Sequence, residues 1–320
     1  MKLFLGNSPI ILHAVLFVYS TRLIDGLNFC EESSTNSILS FRIIGGSRVE
    51  SGLNWMAKLI SYNENGEGIL CGATVIDDFW LMTAAHCARQ LKTRSYVTLR
   101  RPETLKEATF AVQEAYIHPD YNNETADNDI ALLKISLNLT KRGIPAVCLA
   151  RNDVDFLKKY NSGMVVGYGL VLDVTSLGSA ILENSQTLQI TTVPLIPDSE
   201  CYTTWRVLSL RSVDITKKQL CAGSYMHGTA PGDSGGPLLI RKTSGEYVQI
   251  GITSFGADGL DGIVDQGKFP GVYTRVSKYV PWMERVIYSR EKRFQNSSHN
   301  SLLSHFWSIF VIFQTVFTYL

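Results

Sequence analysis

Three short segments carry residue types that together could transfer an acyl group. Ser234 lies in GDSGGP, flanked by Gly232, Gly235 and Gly236. Glycines there permit a tight turn whose successive N–H groups aim at one point. A serine hydroxyl is a weak nucleophile, so it needs a base and a group to orient that base. His86, in TAAHC, supplies an imidazole that can take the serine proton and return it to a leaving amine. Asp129, in DNDIALLK, supplies a carboxylate that can fix the imidazole tautomer and stabilise the imidazolium. Each signal alone has an ordinary reading: a structural His-Cys pair, a solvated strand edge, a simple turn. The combination, in the order His, Asp, Ser, points to nucleophilic catalysis.

These residues need a scaffold that brings distant segments together. From Ile43 to about Arg290 there is chain enough for a sizeable core. Short β-rich runs bounded by Gly, Asn, Asp and Pro recur, among them Met164–Tyr168, Leu188–Val193 and Tyr247–Phe255. Tyr279–Ser289 instead has helical spacing, with Val280, Met283 and Ile287 on one face. Motifs and their order make residues 43 to about 290 resemble the chymotrypsin/trypsin-fold serine peptidases. The resemblance implies an all-β fold of two antiparallel six-stranded β-barrels with a C-terminal helix. His86 and Asp129 would come from the first barrel and Ser234 from the second, and the N–H groups of Gly232 and Ser234 would form the oxyanion hole. Pro231 removes one nearby N–H but neither of those two.

The N-terminus fits a secreted precursor. Lys2 precedes an apolar run, Ile10–Tyr19, with Ser20 behind it; this reads as a signal peptide over 1–20, cleaved between 20 and 26. A polar segment, 21–42, ends in Phe41-Arg42 and is followed by Ile43-Ile44-Gly45-Gly46. It resembles the family's activation junction, where cleavage after Arg42 frees the Ile43 ammonium to pair with Asp233. A buried ion pair formed only after cleavage would act as a two-state switch. Six cysteines suit an oxidising compartment and could pair in about 15 ways. The family pattern implies Cys71–Cys87, Cys201–Cys221 and Cys30–Cys148, the last tethering the propeptide. Two further bridges common in the family are lost with both partners: Gly163 and Ile240 stand at one, and Ala230 marks the other. No C-x2-C or H-E-x-x-H pattern suggests a metal site, and no cofactor is implied.

The same resemblance places a specificity pocket. Its floor lies six residues before the nucleophile, at Gly228, and its walls fall on Gly256 and Gly271. Trypsin-like members carry an aspartate at that floor to pair with Arg or Lys; Gly228 cannot do so. An open, uncharged slot favours a large apolar or aromatic side chain before the scissile bond, narrowed toward Leu or Met by Thr229 and Thr253. Phe255 replaces the usual tryptophan on the substrate-pairing segment Ser254–Gly256, and Ser254 is expected to hydrogen-bond Asp129. An alternative assigns trypsin-like specificity to the loop 257–269 through Asp258, Asp261 or Asp265. The string APGDSGGPLL resembles the elastase-like peptidases of parasitic flukes.

A net charge of +1 and a pI near 7.6 give no case for nucleic acid. The expected partners are protein or peptide substrates, a trypsin-like activating protease, and inhibitors of the serpin or Kunitz type. After a polar linker, 291–305, the apolar tail 306–320 ends the chain and resembles a GPI-attachment signal, implying a lipid-anchored cell-surface protein; a single span or a secreted form are the alternatives. Sequons at Asn123, Asn138 and Asn296 predict glycans. The competing function is a catalytically silent relative acting as a binding module.

Overall fold

The computed structural model describes residues 27–30, 47–49, 52–62, 66–89, 91, 95–100, 106–174, 180–210 and 212–289. The expected signal peptide, Arg42, Ile43, Asn296, the polar linker and the apolar tail lie outside the described residues. Twelve strands build two barrels. In the first are β1 (Met56–Tyr62), β2 (Gly68–Asp77), β3 (Trp80–Thr83), β4 (Tyr96–Arg100), β5 (Glu107–Ile117) and β6 (Ala131–Ile135). In the second are β7 (Ser162–Gly167), β8 (Gln189–Ile196), β9 (Gln219–Ala222), β10 (Pro237–Arg241), β11 (Tyr247–Phe255) and β12 (Gly271–Arg275).

The first barrel closes in the order β1-β2-β3-β6-β5-β4, all neighbours antiparallel. The second runs β8-β9-β12-β11-β10-β7 and closes where β7 pairs β8. Closure leaves a barrel no unpaired edge. Alternation decides which face is inside: in β4, Val97 and Leu99 are buried while Tyr96, Thr98 and Arg100 are half-exposed. In β5, Ala108 and Phe110 point inward and Thr109 and Ala111 outward. The strand expected at Tyr247–Phe255 is observed with those limits; the other two run Ser162–Gly167 and Gln189–Ile196.

Residues 280–289 are helical after a 3-10 turn at Val276–Lys278. Val280, Met283 and Ile287 are buried, as their spacing predicts, and they join the core of the first barrel although they follow the last strand of the second. Each such side chain contributes about 1.5–3 kcal/mol when fully buried, so the helix acts as an apolar clasp across the two halves. All three disulfides implied by the family pattern are present: Cys30–Cys148, Cys71–Cys87 and Cys201–Cys221. At one lost bridge packing takes over. Ile240 is fully buried, and a Cβ on Gly163 would lie 3.0 Å from both Leu238 Cδ1 and the Leu239 carbonyl.

Candidate active site

Asp129 is held before it is used. The preceding residue, Asn128, has φ 57°, a left-handed conformation that asparagine tolerates better than most residues. Its Nδ2 donates to the Asp120 carbonyl (2.8 Å), and its Oδ1 accepts from Lys218 Nζ (2.9 Å) and the Tyr279 hydroxyl (3.2 Å). Thr274 Oγ1, from β12, donates to the Asp129 carbonyl at 2.9 Å. Both barrels and the segment leading into the C-terminal helix therefore fix one peptide. Asn128, Lys218, Thr274 and Tyr279 were not legible as site residues in the sequence.

The Asp129 side chain is fully buried and accepts three hydrogen bonds. His86 Nδ1 lies 2.8 Å from Oδ2, and the His86 backbone N–H donates to Oδ1 at 2.9 Å. His86 sits in the short helix Ala85–Ala88, whose first N–H groups have no partner within the helix, so this carboxylate takes one of them. Ser254 Oγ donates to Oδ2 at 2.6 Å, as the family resemblance implies. The His86 side chain keeps 32% of its surface exposed.

Ser234 enters from the second barrel, just before β10. The Gly72 N–H donates to the Ser234 carbonyl at 2.7 Å, and the Gly235 N–H to the Thr253 carbonyl at 2.8 Å. Gly235 has φ 77°, and a Cβ there would lie 2.2 Å from Thr83 Oγ1 and 2.5 Å from the Gly72 carbonyl. The serine turn is thus pressed against the strand end that leads into His86, and only glycine fits. Among the described residues Ser234 Oγ makes no hydrogen bond to the ring; His86 Nε2 lies 3.5 Å from Cys87 Sγ. Gly232 adopts φ 97° in the same turn. Cys71, His86 and Cys87 converge, but both sulfurs are in one disulfide and offer no thiolate to a metal.

Asp233, beside the serine, is buried; its oxygens accept from the N–H groups of Gly169 (2.7 Å) and Ala230 (2.9 Å). Burial nevertheless pushes its pKa from 3.8 up to about 6. Gly167 and Gly169 make room for it: a Cβ on either would lie within 2.5 Å of a carboxylate atom.

Of the expected pocket residues, Gly228, Thr229 and Gly271 lie around one further side chain, that of Gln266. Gly228 and Gly271 are buried, Gly256 is exposed with open space at its Cβ position, and Thr253 and Ser254 are buried on β11. Phe255 meets Trp205 edge-on at 5.0 Å. The pocket base differs from the open slot expected, because the buried side chain of Gln266 lies against Gly228. Its Nε2 donates to the Thr229 carbonyl and its Oε1 accepts from the Thr229 N–H at 3.2 Å. Of the loop carboxylates, Asp258 and Asp261 are exposed and Asp265 pairs with Lys268 at 3.1 Å. Part of that loop, Gly259–Val264, is a short helix rather than irregular chain. Asn123 is exposed, whereas Asn138 is half-buried and its amide bonds Asp78, leaving Asn123 the more open sequon.

Two closed six-stranded antiparallel barrels, with the His86–Asp129 pair carried by the first and Ser234 by the second, are a chymotrypsin-like fold. The profile of the family described as Trypsin matches residues 43–283. The chain belongs to the trypsin family. Among curated relatives it is 33% identical over 269 residues to transmembrane protease serine 7 of Homo sapiens, and 34% identical over 268 residues to that of Mus musculus. Each match covers 79% of this chain and 29% of the relative, so the chain spans under a third of their length. No helix among the described residues is long and apolar enough to cross a membrane.

Proposed function

We propose that this chain is the zymogen of a serine endopeptidase of the cell surface or extracellular space, hydrolysing peptide bonds through Ser234, His86 and Asp129. The observation that carries the reading is the buried Asp129 carboxylate gripping His86 through both Nδ1 (2.8 Å) and the backbone N–H (2.9 Å). Held so, the ring presents Nε2 to the cleft, where it takes the Ser234 proton as Oγ attacks the scissile carbonyl. The tetrahedral oxyanion is stabilised by the N–H groups of Gly232 and Ser234. His86 then gives the proton to the leaving amine, and water hydrolyses the acyl-enzyme by the reverse roles.

Cleavage after Arg42 activates the chain by delivering the Ile43 ammonium to Asp233, an isolated buried carboxylate with an upward-shifted pKa that an ammonium would relieve. A pocket with Gly228 at its floor carries no charge for Arg42, so a separate trypsin-like protease performs that cut. Serpin or Kunitz-type inhibitors and glycans at the sequons belong to the same reading. The apolar tail serves as a GPI signal; release from cells by a phosphatidylinositol-specific phospholipase tests it. A fluorophosphonate should label Ser234 stoichiometrically after cleavage at Arg42 and only weakly before. Absence of labelling in the cut protein would favour a silent binding homologue.

A further inference from the structure

Three glycines surround one side chain at the pocket base. A Cβ on Gly228 would lie 1.9 Å from Gln266 Oε1, one on Gly223 2.6 Å from Gln266 Cβ, and one on Gly271 3.1 Å from Gln266 Oε1. Any residue with a side chain at the first two positions would collide with Gln266. The carboxamide is also locked: it bonds both the N–H and the carbonyl of Thr229. Its loop is stitched to the opposite wall, where the Met226 N–H donates to the Val264 carbonyl at 2.7 Å and Tyr225 bridges to Asp265. Gln266 therefore occupies a fixed position between the segment leading to Ser234 and the start of β12.

We infer that Gln266 is the specificity-determining residue of this pocket, its carboxamide forming a raised, neutral floor that admits uncharged side chains of intermediate length. The inference rests on the peptidase reading above and sharpens it. Leucine is short enough for such a floor and methionine can fold its flexible chain above it, whereas the rigid rings of phenylalanine and tyrosine cannot. Arginine and lysine would bury a cation against an amide with no carboxylate, which is unfavourable without a partner. A single methylene of misfit in an apolar pocket is worth about 10–200-fold in discrimination. The expected margin of Leu over Phe is therefore at least about tenfold in kcat/KM.

The test uses full-length protein cut at Arg42, active-site titrated with a fluorophosphonate, and peptides differing only in the residue before the scissile bond. The native protein should favour Leu and Met over Phe, Tyr, Arg and Lys. Gln266→Ala should raise Phe relative to Leu by about tenfold or more. Gln266→Glu should create measurable cleavage after Arg or Lys. Native protein that labels but cleaves as well after Phe or Arg as after Leu overturns the inference without either variant. So do variants that label fully and keep the native preference. Native protein that does not label overturns the peptidase reading, and this inference falls with it.

Discussion

Cleavage at Arg42 should reverse the pH dependence that Asp233 imposes on stability. In the uncut chain, burial raises the Asp233 pKa from 3.8 to about 6, against the opposing pull of the Ala230 and Gly169 N–H groups. Between those values the folded chain keeps a proton that the unfolded chain has released. The resulting stability is fully present below pH 3.8 and is lost as pH rises through about 6. At 1.36 kcal/mol per pH unit, that interval corresponds to roughly 3 kcal/mol. An ammonium docked on the same carboxylate would hold its pKa below the unfolded value, so the cut chain would instead lose stability as pH falls. Urea unfolding of cut and uncut protein at pH 4 and pH 7, disulfides intact, measures both. Because other carboxylates act alike in the two forms, the difference isolates this site. The cut form should gain on the uncut form by roughly 2–3 kcal/mol between the two pH values. Parallel curves would refute the pairing of Ile43 with Asp233.

Ser254→Ala removes one of the three donors to the Asp129 carboxylate, a bond of about 1.5–3 kcal/mol to a charged group. Steady-state kinetics should show kcat lower by about 10–100-fold with KM little changed; an unaltered kcat would deny Ser254 a positioning role. Arg275 pairs with Asp198 at 2.6 Å and with the buried Asp153 at 3.4 Å. Arg275→Met leaves Asp153 without its cation and should cost about 3–5 kcal/mol in urea unfolding. Cys30–Cys148 joins the segment before Arg42 to the catalytic domain. Protein cut at Arg42 should therefore migrate as one species without reductant and as two with it.

The candidate reacting groups stood out in the sequence because acyl transfer restricts residue types so tightly. Ser234, His86 and Asp129 matched the residue types of a nucleophile, a base and an orienting acid, and the glycines around Ser234 announced a turn that Thr83 and Gly72 do press upon. The strands were legible where a short β-rich run is bounded by turn residues, as in Tyr247–Phe255. What supports Asp129 was hidden, because its parts are joined only by folding: Asn128 meets Lys218 and Tyr279 across 90 and 151 positions of chain. No local pattern marks a lysine or tyrosine for such a contact.

The pocket was obscured for a different reason. Gly228 and Gly271 lack side chains, and from sequence that reads as space left for a substrate. A missing Cβ is equally space left for a neighbouring residue of the same chain, and composition does not distinguish the two. Here the neighbour is Gln266, carried by a loop whose three aspartates drew attention to charge instead. Those carboxylates stay in solvent or pair with Lys268, while the uncharged residue next to Asp265 turns inward. Burial selects it: an amide can satisfy both its donor and its acceptor on the Thr229 peptide, whereas an aspartate there would bring a charge to the same site without a cation. If Gln266 forms the floor as inferred, the neutrality of the pocket follows from it as much as from the glycine beneath it.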